Sequence, residues 1–161
     1  MPSELDLIRS LYEYNSRIRS LYLKAIWKLP PRERYRDRGA SFPSLADIYL
    51  HVLDAYRLWF DEVYARGPQP DWYPLGVKLT LAEVSRETHA IDRRILRVIK
   101  SIRPKDLNKN FALPKRWKSP RPIQLRILLV HMIEEELQHR GEMNALLWQA
   151  GRNPPVTGYD D

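Results

Sequence analysis

Apolar residues recur every three to four positions in four stretches of the chain, which is the spacing of one face of an α-helix. Segments that contain proline or glycine separate these stretches, and helices rarely continue through such residues. The four predicted helices are Leu5 to Lys28, Ser44 to Ala65, Thr80 to Ile102 and Ile123 to Ala150. Amphipathic helices joined by loops in this way predict an all-α fold, a four-helix bundle that forms one domain over residues 1–161. The loops are long enough for a crossover, so the pattern leaves the helix directions undecided.

Residue types at the predicted helix starts agree with these boundaries. Ser44-Leu-Ala-Asp47 resembles a capping box, Thr80-Leu-Ala-Glu83 is a second one, and Pro122 is expected in the first turn of the last helix. The segment from Pro104 to Pro122 is rich in proline and lysine, which predicts a loop with one short strand considered at Asn110 to Leu113. The residues predicted to face the core are Ile8, Leu11, Ile18, Leu21, Ala25 and Ile26 in the first helix, Leu45, Ile48, Val52, Ala55, Trp59 and Val63 in the second, and Leu81, Val84, Thr88, Ile91, Ile95, Val98 and Ile102 in the third.

In the last predicted helix, side chains that can bind metals interrupt the apolar face. At about 100° per residue, four of these side chains project on the same side of the helix as Leu128 and Leu146. They are His131, Glu135, His139 and Glu142. A carboxylate that faces a bundle core is costly to desolvate unless it is paired, hydrogen-bonded or bound to a cation. Glu135 lies at the centre of this face, whereas Glu134 and Glu136 are predicted to lie to either side of it. The cluster is therefore either a metal site or a solvated acidic face that happens to contain two histidines.

The spacing of these residues favours a mononuclear metal site. Glu135 and His139 are four residues apart and therefore about 6 Å apart on one helical face, a distance that one ion can bridge. His131 and His139 are about 12 Å apart, which is too far for both to hold one ion directly. The sequence has no cysteine, so the ligands must be histidine, aspartate or glutamate. A di-iron centre would need a second Glu-x-x-His unit besides the one that starts at Glu136, and the sequence has none.

A third ligand must come from another helix. His51 is the best candidate because it lies on the inward side of the second predicted helix, although a hydrogen-bonded core histidine is the alternative interpretation. His89, beside the apolar face of the third helix, is interpreted as a flanking or structural residue. His51, Glu135 and His139 together are the ligand types of many catalytic zinc sites and are also compatible with nickel, iron or manganese. Three protein ligands leave a position open for water or substrate.

Such a centre predicts a metal-dependent enzyme that acts on a small molecule. A bound ion would lower the pKa of a water or thiol ligand towards neutrality, or polarise a carbonyl group. His131 and Glu142 lie one turn to either side of the ligand pair and are candidates for orienting a ligand or moving a proton. A surface role is the alternative interpretation of both residues.

Two other classes of function are considered, and the net charge of +7 raises the first of them, nucleic-acid binding. Between Arg93 and Arg126 the basic residues far outnumber Asp106, which is the one acidic residue of the segment. A nucleic-acid-binding module could use these cations, but no groove-entering element is recognisable, so solvated charges are the favoured interpretation and no nucleic-acid-binding residue is assigned. The other class is an interaction module, in which a dimer is held by exposed aromatic residues such as Trp72, Tyr73, Trp117 or Trp148.

The distribution of apolar residues also bears on location. No apolar run approaches the roughly 20 residues that a membrane span needs. The N-terminal residues Met-Pro-Ser-Glu-Leu-Asp contain no basic region followed by an apolar core, so no secretory signal is predicted. We therefore expect a cytoplasmic protein that does not bind a membrane.

The run from Leu128 to Glu142 resembles the signature of the DinB-like (DinB/YfiT) four-helix bundles. Three further stretches share this resemblance: Leu11-Tyr-Glu-Tyr-Asn15, Gly39-Ala-Ser-Phe-Pro-Ser-Leu-Ala-Asp-Ile-Tyr-Leu-His51 and Gly151-Arg-Asn-Pro-Pro-Val-Thr157. The four stretches together span nearly the whole chain.

The resemblance implies a bundle, often a homodimer, that holds one divalent ion through a histidine of the second helix and two of the fourth. The helix-two ligand corresponds to His51, and the last ligand corresponds to His139, which precedes Arg140-Gly141. The middle family histidine falls at Glu135, a departure that affects which ion binds and how tightly. Some members of the family resemble thiol-dependent transferases or isomerases. The resemblance thus implies a metal-dependent hydrolase or a thiol-dependent enzyme, the latter with a low-molecular-weight thiol as a second cofactor.

Overall fold

The computed structural model describes residues 2–118 and 121–158, which form mainly α-helices. The helices are α1 (Glu4–Trp27), α2 (Pro31–Arg34), α3 (Leu45–Arg57), α4 (Leu81–Ser101) and α5 (Leu125–Gln149). The other elements are a π-helix that continues α3 (Leu58–Tyr64), the 3₁₀ turns Pro104–Asn108 and Lys115–Trp117, and the paired strands β1 (Asn110–Phe111) and β2 (Ile123–Gln124). The predicted all-α fold is confirmed. None of the described helices combines the length and the apolar character that a membrane span requires.

The four long helices run up, down, down and up in chain order. Side-chain contacts at successive levels of the bundle establish these directions, because parallel neighbours pair residues whose numbers increase together. Helices α1 and α5 are parallel, since Tyr12 contacts Leu129 and Tyr22 contacts Asn144. Helix α3, with the π-helix after it, is parallel to α4, since Tyr49 contacts Thr88 and Asp61 contacts Arg94. Helices α1 and α4 are antiparallel, since Arg9 contacts Ile102 at one end and Trp27 contacts Leu79 at the other. These contacts therefore decide the helix directions, which the loop lengths had left undecided.

Because α3 and α4 are parallel, the chain between them must return along the length of the bundle. Residues 65–80 make this crossover, and two aspartates of α3 hold it in place. Asp54 accepts a hydrogen bond from the backbone N–H of Tyr73 at 2.9 Å, and Asp47 accepts one from Gly76 at 2.7 Å. Gly76 has a φ of +72°, a conformation that side chains with a Cβ rarely adopt. The crossover is therefore anchored on the helix that it follows.

Two helix starts agree with the sequence and a third does not. Thr80 and Glu83 form the predicted capping box, and the hydroxyl of Ser44 accepts a hydrogen bond from the backbone N–H of Asp47. The last helix was predicted to contain Pro122 in its first turn, but α5 begins at Leu125. The reason is that residues 123–124 pair with residues 110–111 as β2 and β1, which takes them out of the helix.

The predicted core is correct for α3 and partly wrong for α1. Every residue of the face predicted for the second helix, which is α3 and the π-helix after it, is buried, as are Ile8, Ile18 and Ile26 of α1. Leu21 of α1 is exposed, and so is Leu81 at the start of α4. The inward face of α1 includes residues that carry polar groups: Tyr12, Asn15, Arg19 and Tyr22. These four residues continue the helical spacing from Ile8 to Ile26, so the tyrosine rings supply the apolar surface that leucines were expected to supply.

Candidate metal centre

The structure brings His51, Glu135 and His139 together. Oε1 of Glu135 lies 3.1 Å from Nε2 of His51 and 3.1 Å from Nε2 of His139. One ligand atom from each of the three residues lies within 4.8 Å of the other two. Metal ions bind such atoms at about 2.0 to 2.2 Å, so an ion could be held at the centre of this group after small side-chain adjustments.

The helical geometry explains why these side chains meet. Glu135 and His139 are one turn apart on α5, and His51 reaches them from the antiparallel helix α3. The loop before α3 contributes Phe42, whose ring stacks on His51 with centroids 4.1 Å apart and an interplanar angle of 25°. Phe42 also meets His139 edge to face at 5.9 Å. One aromatic ring therefore restricts the orientation of both imidazoles.

Glu142 supports the cluster from the side opposite Glu135. Its Oε2 lies 3.2 Å from Nδ1 of His139 and accepts a hydrogen bond from the hydroxyl of Ser41. In metal sites, a carboxylate at the second ring nitrogen fixes the tautomer and the orientation of a histidine ligand. Glu142 thus lies where an orienting residue is expected.

Charge and burial act together on the ionisation of the cluster. Hydrogen bonds from His139 and His51 hold the pKa of Glu135 well below its ordinary value, although partial burial acts in the opposite direction. Burial alone would lower the pKa of His139, but the hydrogen bonds with Glu135 and Glu142 outweigh it and raise that pKa. The carboxylate of Glu135 is therefore ionised and attracts a positive charge to the position between the two imidazole rings.

The cluster is open to solvent on one side. The His139 side chain is only 5% exposed, whereas those of His51 and Glu135 are 24% and 20% exposed. A bound ion would therefore have protein ligands on its inner side and access to a small molecule on its outer side. This arrangement is typical of catalytic sites, which keep one coordination position open, rather than of closed structural sites.

The structure does not place the other two histidines in this cluster. His131 packs edge to face on Trp59, with centroids 4.9 Å apart, and its nearest carboxylate is that of Glu134 at 3.9 Å. His89 is exposed on α4, where its Nδ1 lies 3.4 Å from the hydroxyl of Ser85. Of the two residues considered for orientation or proton transfer, Glu142 therefore contacts a proposed ligand and His131 lies one turn away.

The prediction that Glu136 lies beside the inward face is wrong. Glu136 is 2% exposed, and Arg19 donates to both of its oxygens, at 2.7 Å to Oε2 and 3.3 Å to Oε1. Tyr56 donates a further hydrogen bond to Glu136 at 2.6 Å, and Arg140 lies 3.5 Å from it. Arg19 also pairs with Asp92 of α4. A buried ion network therefore lies directly beside the candidate metal centre.

The sequence contained a signal for this network that the apolar pattern concealed. Asn15 and Arg19 lie on the same face of α1 as Tyr12 and Tyr22. Helix α1 therefore carries two polar residues on a face whose other members are large and apolar. Burial works against charge on Arg19, but Glu136 and its other partners outweigh this effect and raise its pKa. The guanidinium thus stays charged and neutralises Glu136.

These features define a helical-bundle protein with a candidate mononuclear site of two histidines and a glutamate. The model of the DinB family matches residues 1–161, so the chain belongs to the DinB family. Protein DinB of Bacillus subtilis strain 168 is 25% identical over 159 residues, which cover 96% of this chain and 92% of the relative. The crystal structure of a DinB-like protein from Bacillus cereus ATCC 10987 matches with a TM-score of 0.67 at 16% identity, over 92% of this chain and 91% of the other. The structural match supports the shared fold alone.

Proposed function

We propose that this protein binds one divalent metal ion through His51, Glu135 and His139 and uses it as an enzyme acting on a small molecule. The observation that carries the proposal is the environment of His139, which has a carboxylate oxygen at each ring nitrogen, 3.1 Å from Nε2 and 3.2 Å from Nδ1. A neutral imidazole has one donor and one acceptor nitrogen. The lone pair of the acceptor nitrogen would therefore be directed at a lone pair of a carboxylate oxygen, which is repulsive.

Two arrangements avoid that repulsion. In the first, His139 is doubly protonated and donates to both Glu135 and Glu142. In the second, Nδ1–H donates to Glu142 while the lone pair of Nε2 binds a metal ion that Glu135 and His51 also bind. The second arrangement supplies two positive charges to a site with two carboxylates, and it uses each ligand in the ionisation state that metals require.

When bound, the ion would activate a water or thiol ligand or polarise a carbonyl group at its open position. The chain itself contributes the ligand set, the carboxylate of Glu142 that orients His139, and the ring of Phe42 that covers one side of His51. This chemistry suits hydrolysis or the transfer of a low-molecular-weight thiol. Because Glu135 is a harder ligand than a third histidine, we expect manganese or iron to compete with zinc and nickel better than they would in a three-histidine site.

Metal analysis tests the binding proposal directly. Protein purified without an affinity tag should contain close to one divalent ion per chain by plasma mass spectrometry, and His51→Ala and His139→Ala should each lose it. The matched control is His89→Ala, which removes an exposed histidine outside the cluster and should keep the metal. Wild-type protein that stays metal-free after incubation with zinc, manganese, iron and nickel would contradict the proposal.

The enzymatic part needs a separate measurement. Small esters and amides, and electrophiles offered together with a thiol, should be turned over by metal-loaded protein and not by His139→Ala. Metal binding without turnover of any of these compounds would remove the enzymatic part and leave the metal-binding part.

The basic segment is not proposed as a nucleic-acid interface. Several of its cations already pair with carboxylates, and phosphate contacts would have to compete with those pairs. The pairs are Arg94 with Asp61, Arg116 with Glu62, Arg103 and Lys109 with Asp106, and Arg126 with Glu4. Residues 119–120 of this segment lie outside the described ranges.

A further inference from the structure

An apolar groove lies beside the first half of α5, and none of its lining residues is one of the proposed metal ligands. The groove has a volume of about 270 Å³ and is lined by Trp59, Ile123, Ile127, Val130, His131 and Glu134. Pockets that hold a whole small molecule usually measure about 300 to 1,000 Å³, so a groove of this size suits one part of a ligand rather than a whole one. The groove therefore has the dimensions of a subsite.

The walls of the groove are large apolar side chains. The indole of Trp59 is 9% exposed and is held between two other rings, since Trp117 meets it edge to face at 5.3 Å and His131 does so at 4.9 Å. On α5, Ile127 and Val130 are 53% and 51% exposed. An apolar ligand group that covered these two side chains would remove apolar surface from water, which is favourable.

The charged group of the groove lies at its edge. The side chain of Glu134 is 75% exposed, and its Oε2 lies 3.9 Å from Nδ1 of His131. A carboxylate at this position disfavours an anionic ligand group, because like charges repel. A polar ligand group placed against the apolar walls would lose its hydrogen bonds to water. The groove therefore favours an uncharged, apolar group.

A row of side chains on α5 connects the groove with the candidate metal centre. Ile127, His131, Glu135 and His139 are each four residues apart, so they follow one another along one side of the helix. The first two line the groove, and the last two belong to the metal centre. The side chains of His131 and Glu135 are 37% and 20% exposed, so solvent reaches the row between the two sites. A ligand held at the metal centre can therefore extend along α5 into the groove.

The helical rise sets the length of such a ligand. His131 borders the groove on the side of the metal centre, and it lies about 9 Å along the helix axis from the midpoint of Glu135 and His139. An extended alkyl chain, with carbon–carbon bonds of about 1.5 Å, needs roughly seven carbons to span this distance. Shorter tails would end before they reach the groove.

We propose that this groove is a substrate subsite, which binds the apolar tail of a molecule whose polar head group lies at the metal centre. The inference rests on the proposed function and adds a substrate class to it: molecules with an uncharged alkyl or acyl tail longer than about seven carbons. Trp59, Ile127 and Val130 are specificity-determining residues in this arrangement, because they contact the tail and not the reacting group.

Unbranched hydroxamates of increasing length test the proposal, because the hydroxamate group chelates divalent ions while the tail is varied alone. Isothermal titration of the metal-loaded protein should give similar affinities for acetohydroxamate and hexanohydroxamate, whose tails end before the groove. Decanohydroxamate should bind about tenfold more tightly than hexanohydroxamate, since each carbon that reaches the groove adds roughly twofold to fourfold in affinity. Equal affinities for all three would overturn the proposal, which is also the result expected if another protein chain covers the groove.

Substitutions in the groove test where the tail binds. Ile127→Asn and Val130→Asn add a polar group at exposed positions, where substitutions usually disturb folding little. Each variant should bind decanohydroxamate no more tightly than hexanohydroxamate, with wild-type metal content and wild-type affinity for acetohydroxamate. The matched control Leu137→Asn places the same amide at a 50% exposed leucine of α5, about 15 Å along the helix from Ile127, and should keep the tenfold gain. A gain that survives in both groove variants would overturn the proposal.

Methyl NMR of the wild-type protein gives a readout that needs no groove variant to fold. Decanohydroxamate should shift the methyl signals of Ile127 and Val130, and acetohydroxamate should not. The hydroxamate series also separates two kinds of failure. Binding of all three compounds without dependence on tail length would overturn the subsite and leave the metal centre intact. Binding of none of them would overturn the open coordination position of the metal centre, and this inference with it.

Discussion

Glu135 and Glu136 are neighbours in the chain, yet they lie in opposite kinds of environment. Glu135 faces α3 and shares one oxygen with two imidazoles at the edge of the bundle, where solvent has access. Glu136 lies in the core between α1 and α3, where it is enclosed by Arg19 of α1, Tyr56 of α3 and Arg140 of α5 itself. A rotation of about 100° along one helix therefore separates an open site from a closed one.

The two glutamates differ in the type of basic side chain that faces them. Arginine is charged at every accessible pH, so Arg19 neutralises Glu136 permanently and leaves no place for another cation. Histidine can release its proton and offer a lone pair, so the positive charge beside Glu135 can be exchanged for a metal ion. The comparison predicts that substitutions at the two glutamates have separable effects, one on stability and the other on metal binding.

The largest expected effect is on stability, at Glu136. Glu136→Gln removes the negative charge that Arg19 faces in the core, and breaking a buried pair in this way typically costs about 3 to 5 kcal/mol. Urea denaturation followed by circular dichroism should show this loss in the free energy of unfolding. The control Glu134→Gln changes an exposed glutamate and should stay within about 0.5 kcal/mol of wild type. A loss below about 1 kcal/mol for Glu136→Gln would mean that Asp92 alone compensates for the charge on Arg19.

The next effect concerns metal affinity at Glu135. Glu135→Gln removes the negative charge of a proposed ligand, so we expect metal affinity to fall by more than the roughly tenfold to hundredfold that supporting residues usually cause. Isothermal titration of the metal-free protein should show it, while the unfolding free energy without metal changes far less than in Glu136→Gln. Equal metal affinity in Glu135→Gln and wild type would show that Glu135 is not a ligand.

A smaller effect on metal affinity is expected at Glu142, which contacts His139 but does not belong to the proposed ligand set. Glu142→Gln keeps a hydrogen-bond acceptor but loses the charge, so metal affinity should fall about tenfold to hundredfold. Since an amide can replace part of the contact, Glu142→Gln should bind metal more tightly than Glu142→Ala. Isothermal titration of both variants with metal checks this order. Identical affinities in the two variants would show that the contact between residue 142 and His139 does not contribute to metal affinity.

The smallest effect is a change with pH. The raised pKa of His139 means that its protonated form stabilises the metal-free protein at low pH, and this contribution is lost as pH rises through that pKa. Protons and metal compete for Nε2, so metal affinity should fall about tenfold for each pH unit below the raised pKa. The increase in melting temperature caused by metal should therefore be larger at pH 8 than at pH 6. The same increase at both pH values would contradict competition at His139.

The sequence predicted the helices and the meeting of His51, Glu135 and His139, because both depend on helical periodicity. It did not predict the role of Glu136, because a helical wheel assumes one inward direction. Helix α5 packs on both α1 and α3, so its inward side is wide enough for Glu135 to lie at the edge of the bundle while Glu136 lies in the core between the two helices. The α1 face was partly mispredicted for a related reason, since Tyr12 and Tyr22 pack as large apolar residues while their hydroxyls bond to α5.

The position of His131 depended on information that the apolar pattern does not contain. One turn from Glu135, it was expected near the ligand pair, but the π-helix that follows α3 brings Trp59 against it. A π-helix has more residues per turn than an α-helix, so the side chains of Leu58–Tyr64 are not arranged at regular α-helical spacing. The helix directions were also beyond the sequence, because they depend on contacts between distant segments.

The up-down-down-up order of the helices has a consequence for how the protein folds. In a bundle of simple hairpins, each helix packs first on its neighbour in the chain, and early contacts close only short loops. Here α1 packs mainly on α4 and α3 mainly on α5, and contacts such as Tyr12 with Leu129 join residues 117 positions apart. Closing such long loops costs entropy before the contacts are gained, so folding should be slower than in a hairpin bundle of equal length. The network around Arg19, which joins all four long helices, can form only when the last of them has docked.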